Sequence, residues 1–137
     1  MDALGAGDVT AVLLPASALF LGRPMPPGRA LVDAGAPVAL ATDFNPGSAF
    51  TESLPLVMSL AATQLGLAPA EALGAVTVNA AHVLGRADRI GRLAPGYDAD
   101  IVLVDAPDWR HLAYHLAGDV IRTVVVGGTI AWSRGAY

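Results

Sequence analysis

Residues 9–14 form a short, nearly continuous apolar run closed by Pro15, the pattern of a strand covered on both faces, followed by a loop rich in Pro and Gly. Residues 28–34 read as a short helix with Gly35 just past its end. Residues 37–42 repeat the buried-strand pattern and run into the loop 43–48. From Thr51 to Leu65 the apolar positions Leu54, Val57, Met58, Ala61, Ala62 and Leu65 recur at helical spacing, and Gly66 stops the run. Pro55 falls in the first turn, where a missing N–H costs little. Pro69 opens a helix to about Val76, and Thr77 is placed to cap a third that ends before Gly85.

After Gly85 the grammar changes. Residues 90–96 read as turn and short strand, 100–105 as a strand, and 108–118 as a loop or short helix. Residues 120–126 and 129–132 flank Gly127 and Gly128, a two-residue hairpin turn. The chain thus divides into an α/β segment, residues 1–85, and a β region, residues 86–137. Strands separated by helices imply parallel pairing in the first segment.

Composition narrows the function classes. Of 137 residues, 54% are apolar and 15% charged, with mean hydropathy +0.53. A compact chain of this length would bury about two-thirds of its unfolded surface, the apolar composition argues against disorder, and the apolar excess suits contact with a partner chain or missing sequence. Net charge is −4, and the eight basic residues are scattered arginines with no basic stripe, which argues against nucleic acid. There is no cysteine, so thiolate chemistry is excluded and a cytosolic setting fits. The apolar run 9–21 is interrupted by Pro15, too short for a bilayer, and preceded by Asp2 and Asp8 without a basic residue, so neither a membrane span nor a signal peptide is expected.

The loop after the second strand holds the candidate chemistry. A carboxylate beyond the C-terminal end of a buried parallel strand, as at Asp43, stands where α/β barrels keep catalytic groups, able to bind a metal or act as a base on metal-bound water. Asn45 offers an amide, Gly47 permits close backbone approach, and Ser48 is read as lying just before a helix that favours an anion. Asp43, Asn45, Pro46 and Gly47 are equally ordinary turn formers. His111 and His115, four apart, would share a helix face and hold a metal or simply pack with Trp109 and Tyr114. His82 reads as a satisfied helix histidine. Glu52 and Glu71 are each expected in the first turn of a helix, where the dipole favours them.

The segment from Thr42 through Asp43, Phe44, Asn45, Pro46, Gly47 and Ser48 closely resembles the loop after strand eight in imidazolonepropionases, as do Thr51, Glu52, Ser53 and the helix after them. Residues 71–85 and the stretch Leu112, Ala113, Tyr114, His115 are similar to the same family. Residues 88–96 with 99–105 resemble a signature shared across metal-dependent amidohydrolases. The resemblance implies an α/β fold, the C-terminal fragment of an amidohydrolase (β/α)8 barrel (strands seven and eight and the following helices) plus part of a small β-sandwich. It implies hydrolysis of the ring C–N bond of 4-imidazolone-5-propanoate to N-formimidoyl-glutamate in histidine degradation, with zinc or iron activating water. Asp43 corresponds to the family's aspartate metal ligand, Asn45 and Gly47 to residues that hold the product-like ligand, and Ser48 to a substrate-contacting position.

The family's H-x-H pair, third metal histidine, catalytic glutamate and further active-site histidine have no counterpart in this sequence. The resemblance therefore implies a small-molecule hydrolase whose N-terminal portion is missing or whose copies associate, with no tight zinc or iron in this chain alone. Another cyclic-amide amidohydrolase and an inactive assembly module are the alternative readings.

Overall fold

The computed structural model describes residues 9–135, so the leading segment with Asp2 and Asp8 lies outside the described residues. Two short strands, β1 (Ala11–Leu13) and β2 (Val38–Leu40), pair in parallel, with Ala11 opposite Val38 and Leu13 opposite Leu40. The expected parallel arrangement is present. β2 is buried throughout, whereas Val12 of β1 is exposed, so only β2 is covered on both faces.

The first strand does end before Pro15, as the pattern suggests, but Pro15 also starts helix α1 (Pro15–Phe20), within which Pro15, Ala16 and Ser17 are buried. The first part of the predicted loop is therefore a helix, because Pro at the first helical position loses no hydrogen bond that the helix would otherwise make, while the stretch with Pro24, Pro26 and Pro27 stays a loop. Helix α2 (Gly28–Asp33) makes the crossover between the strands. Its first residue has to be glycine: a Cβ there would meet Leu67 Cδ1 at 2.7 Å and Leu65 Cβ at 2.8 Å.

Three helices follow: α3 (Leu54–Gln64), α4 (Pro69–Val76) and α5 (Val78–Val83). Ser53 caps α3, its hydroxyl accepting from the Leu56 N–H at 3.2 Å. Glu52 therefore lies before the cap rather than in the first turn. Glu71 does sit in the first turn of α4, and its carboxylate accepts from the Ala68 N–H at 2.7 Å. Thr77 occupies the junction of α4 and α5, but its hydroxyl donates back to the Leu73 carbonyl at 2.7 Å and caps nothing.

Leu13, Leu31, Val38, Leu40, Val57, Met58, Leu60 and Leu65 form one buried core shared by the strands and helices α1 to α4. Residues 90–96 contain turns but no strand. Strands β3 (Ile101–Val104), β4 (Ile121–Val126) and β5 (Thr129–Ser133) form an antiparallel sheet in that order. Gly127 and Gly128 both have positive φ, 55° and 80°, as the tight turn between β4 and β5 requires. The short helix α6 (His111–Tyr114) packs on α3, where the buried Ser59 hydroxyl donates to the His115 carbonyl at 3.2 Å.

Candidate functional site

Asp43 lies three residues beyond the end of β2, past the C-terminal edge of the parallel pair, half-buried and in the left-handed region with φ 53°. That conformation is uncommon outside glycine, and Asp is among the few residues that adopt it readily. It turns the chain sharply enough to bring three side chains together.

Asn45 organises the loop. Its Oδ1 accepts from the Gly47 and Ser48 N–H groups at 2.8 and 2.9 Å, and its Nδ2 donates to the Asp43 carbonyl at 2.6 Å and to Ser48 Oγ at 2.7 Å. An isolated antiparallel bridge between Asn45 and Ala49 closes the turn. Ser48 Oγ in turn donates to Asp43 Oδ2 at 3.1 Å. The turn reading of the loop holds, and the turn chemistry is what orients the carboxylate.

Ser48 is not at a helix N-terminus. Five residues separate it from α3, because the helix starts only after the Ser53 cap. The anion-site argument for Ser48 therefore falls, and its hydroxyl serves Asp43 instead.

A further residue reaches the site. Ser17, 8% exposed on α1, donates from Oγ to Asp43 Oδ2 at 2.7 Å. It was hidden in sequence because its segment reads as loop; the available signal was a hydroxyl just past the end of the neighbouring parallel strand. Both serines donate to the same oxygen, and no described residue donates to Oδ1. Every buried side-chain N or O atom among the described residues has a partner, so the unpartnered Oδ1 reaches solvent.

His111, which opens α6, and His115, just past its end, do come together. Their rings stack with centroids 5.1 Å apart, and His115 Nε2 lies 3.0 Å from His111 Nδ1, so they pair with each other and with the edge of Tyr114. Among the described residues no three His, Cys, Asp or Glu side chains converge as a metal-binding group. A cavity of about 680 Å³ opens between α3, α4 and the β sheet, lined by Met58, Leu73, Val76, Leu112 and Ile121. Its walls are largely apolar and Asp43 does not line it, so it is a gap in packing rather than a site with convergent polar groups. No described helix is long and apolar enough to cross a membrane.

The amidohydrolase family model matches residues 2–131, nearly the whole chain. The chain belongs to the amidohydrolase family. It is 65% identical over 126 residues to an imidazolonepropionase of Rubrobacter xylanophilus, a match covering 92% of this chain but only 30% of that protein. The chain thus spans about a third of the length of such family members. Among solved structures, E. coli guanine deaminase superposes with a TM-score of 0.80 at 22% identity, covering 97% of this chain and 36% of that one, which shows the fold. An adenosine deaminase from Xanthomonas campestris with bound zinc superposes with a TM-score of 0.76 at 27% identity, covering 89% of this chain and 31% of its own. The mixed α/β fold expected from the sequence is therefore that of the family.

Proposed function

We propose that this chain is the C-terminal part of an imidazolonepropionase, a cytoplasmic enzyme of histidine breakdown. Residues 1–85 supply the last two strands of its barrel and residues 86–137 part of its small β domain. The observation that carries the proposal is the 65% identity to a protein of that name across 92% of the chain.

The donor chemistry fits one corner of a metal site. Asp43 presents a single free carboxylate oxygen beyond a buried parallel strand, while a catalytic zinc takes about three protein ligands. Asp43 would hold the metal through that oxygen, with the remaining ligands coming from a segment that precedes this one in the relatives. Zinc or iron, when bound, supplies a water of lowered pKa. As a ligand beside that water, the Asp43 carboxylate would also be the group that receives its proton. Attack on the ring carbonyl breaks the amide C–N bond, leaving a carboxylate on one side and a protonated nitrogen of the formimidoyl group on the other. Asn45 and Gly47 shape the loop that faces the substrate, and Ser48 stands at its edge.

The test is a chimera in which this chain replaces the matching C-terminal portion of the Rubrobacter protein. We expect the chimera to hydrolyse 4-imidazolone-5-propanoate and the Asp43→Asn chimera to lose at least about 100-fold in kcat. The 137-residue chain alone is expected to show no turnover. A correctly folded chimera without this activity sinks the proposal.

A further inference from the structure

We propose that Ser17 is a positioning residue that fixes the Asp43 carboxylate so that only Oδ1 is offered to a metal. The inference rests on the proposed role of Asp43 as a ligand.

A carboxylate has about four lone-pair directions, two on each oxygen. At Asp43 the hydrogen bonds from Ser17 at 2.7 Å and from Ser48 at 3.1 Å both fall on Oδ2, and no described residue donates to Oδ1. An oxygen already holding two donors is a poor metal ligand, so the carboxylate is set to bind through one oxygen rather than two.

The two donors are not equivalent. Ser48 belongs to a loop bordered by the exposed Pro46 and Gly47, and its hydroxyl also accepts from Asn45. Ser17 is buried on α1, which follows directly from β1, the strand paired with β2. Its bond is the shorter one and comes from a buried helical residue. When Ser48 turns toward a substrate, Ser17 is the donor that remains. The pair of neighbouring parallel strands therefore delivers both the carboxylate and the hydroxyl that aims it.

Ser17 faces Asp43 across 26 positions of sequence, so the bond is a tertiary choice and not a local turn. A buried hydroxyl in an otherwise apolar stretch, between Ala16 and Ala18, needs such a partner.

The first arm of the test uses the 137-residue chain and needs neither metal nor substrate. The χ1 rotamer of Asp43 is read from three-bond NMR couplings in wild type, Ser17→Ala and Ser17→Thr. One rotamer is expected in wild type and Ser17→Thr, and averaging in Ser17→Ala, with core amide shifts unchanged. If Ser17→Ala does not fold, Ser17→Cys replaces it, keeping the size with only a weak donor. A fixed Asp43 rotamer without the hydroxyl overturns the proposal.

The second arm measures zinc release to a chelator, together with kcat and KM, in the chimera. Removing a group that orients a ligand weakens metal holding about 10–100-fold. We expect that change for Ser17→Ala, carried by kcat rather than KM, and return to within about threefold in Ser17→Thr. Unchanged zinc release and kcat in Ser17→Ala overturns the proposal. A wild-type chimera that holds no zinc sinks the functional reading and the metal half of this one, while the rotamer arm still decides whether Ser17 fixes Asp43.

Discussion

Asn79, on α5, donates from its side-chain Nδ2 to the backbone carbonyl of Val38 in β2 at 2.7 Å. Carbonyls alternate sides along a strand. The Pro37 carbonyl bonds Ala11 of β1, so that of Val38 points to the other side, where no described strand pairs with β2. A helix side chain thus satisfies the free edge of the strand that leads to Asp43.

Replacing Asn79 should expose how much the site depends on this anchor. Val38 is buried, so losing the donor leaves its carbonyl without a partner and costs about 1–3 kcal/mol. Asn79→Asp should do no better than Asn79→Ala, since an ionised carboxylate has no proton to donate. Urea denaturation of the three proteins checks this, and stabilities equal within error would show that the carbonyl finds another donor.

Gly91 is expected to be the least replaceable glycine. Its φ is 88°, and a Cβ would lie 2.8 Å from Ala81 Cβ and 2.9 Å from the Thr77 carbonyl oxygen. Crowding against backbone adds to the strain of positive φ, so Gly91→Ala should cost about 2–4 kcal/mol. Gly85, with φ 65° and nothing within 4 Å of its added Cβ, isolates the backbone part, and Gly85→Ala should cost about 1 kcal/mol. Similar losses for both in chemical denaturation would remove crowding as the cause.

The elements that sequence displayed well are those whose boundary residues have a single mechanical meaning. Pro69 starts α4 and Gly127 with Gly128 turns the hairpin, because each enforces a backbone state that neighbours cannot override. Pro15 has two meanings, strand end and helix start, and the uniformly apolar run around it gives no period to choose between them. That ambiguity concealed α1 and with it Ser17. Asp43, Asn45 and Ser48 were visible as a group, but their geometry was not. The convergence of Ser48 on Asp43 depends on Asn45 turning the chain through its side-chain bonds, which no spacing rule reveals.

Acid should weaken the link between α2 and α4. Arg29 Nη1 lies 2.9 Å from Glu71 Oε2 and Nη2 lies 3.2 Å from Oε1, a bidentate pair, and the Ala68 N–H adds a third bond. The Arg29 hydrogen bonds, then that from Ala68, hold the Glu71 carboxyl below its ordinary range. A depressed folded pKa means stability that is complete above the ordinary glutamate range and lost as pH falls through the folded value. Asp108, held at about 2 by hydrogen bonds from the Arg110 side chain and backbone, follows the same sign down to lower pH. Wild type should therefore lose its advantage over Glu71→Gln as the medium is acidified. NMR titration of the Glu71 carboxyl carbon checks the direction; a midpoint at or above that of a model peptide would contradict it.

The final expectation is that the isolated chain self-associates. Among the described residues β1 and β2 make a sheet of two strands, with Val12 of β1 exposed and the Val38 carbonyl on the outer edge of β2 taken by Asn79. The second sheet ends at β5, whose Ile130 is 66% exposed and Trp132 46% exposed, and Val102 and Leu103 of β3, the strand at the other edge, are exposed as well. Scattered exposed apolar residues are ordinary, but a strand edge flanked by them offers unpaired N–H and C=O groups together with surface that water covers poorly. The relatives are about three times longer, and this chain carries few charges to keep copies apart, 15% of residues against about 25% in an average domain. Pairing of identical edges in a two-fold dimer is the arrangement that satisfies both surfaces with a single contact type. Placing a lysine at Ile130 should oppose it, because a charge on an edge strand must be desolvated when another strand docks. Sedimentation velocity across a hundredfold concentration range reads the outcome. The wild-type sedimentation coefficient should rise with concentration, and that of Ile130→Lys should rise less. A wild type that stays monomeric at the highest concentration, with a cooperative thermal transition, would mean that these edges are stable bare.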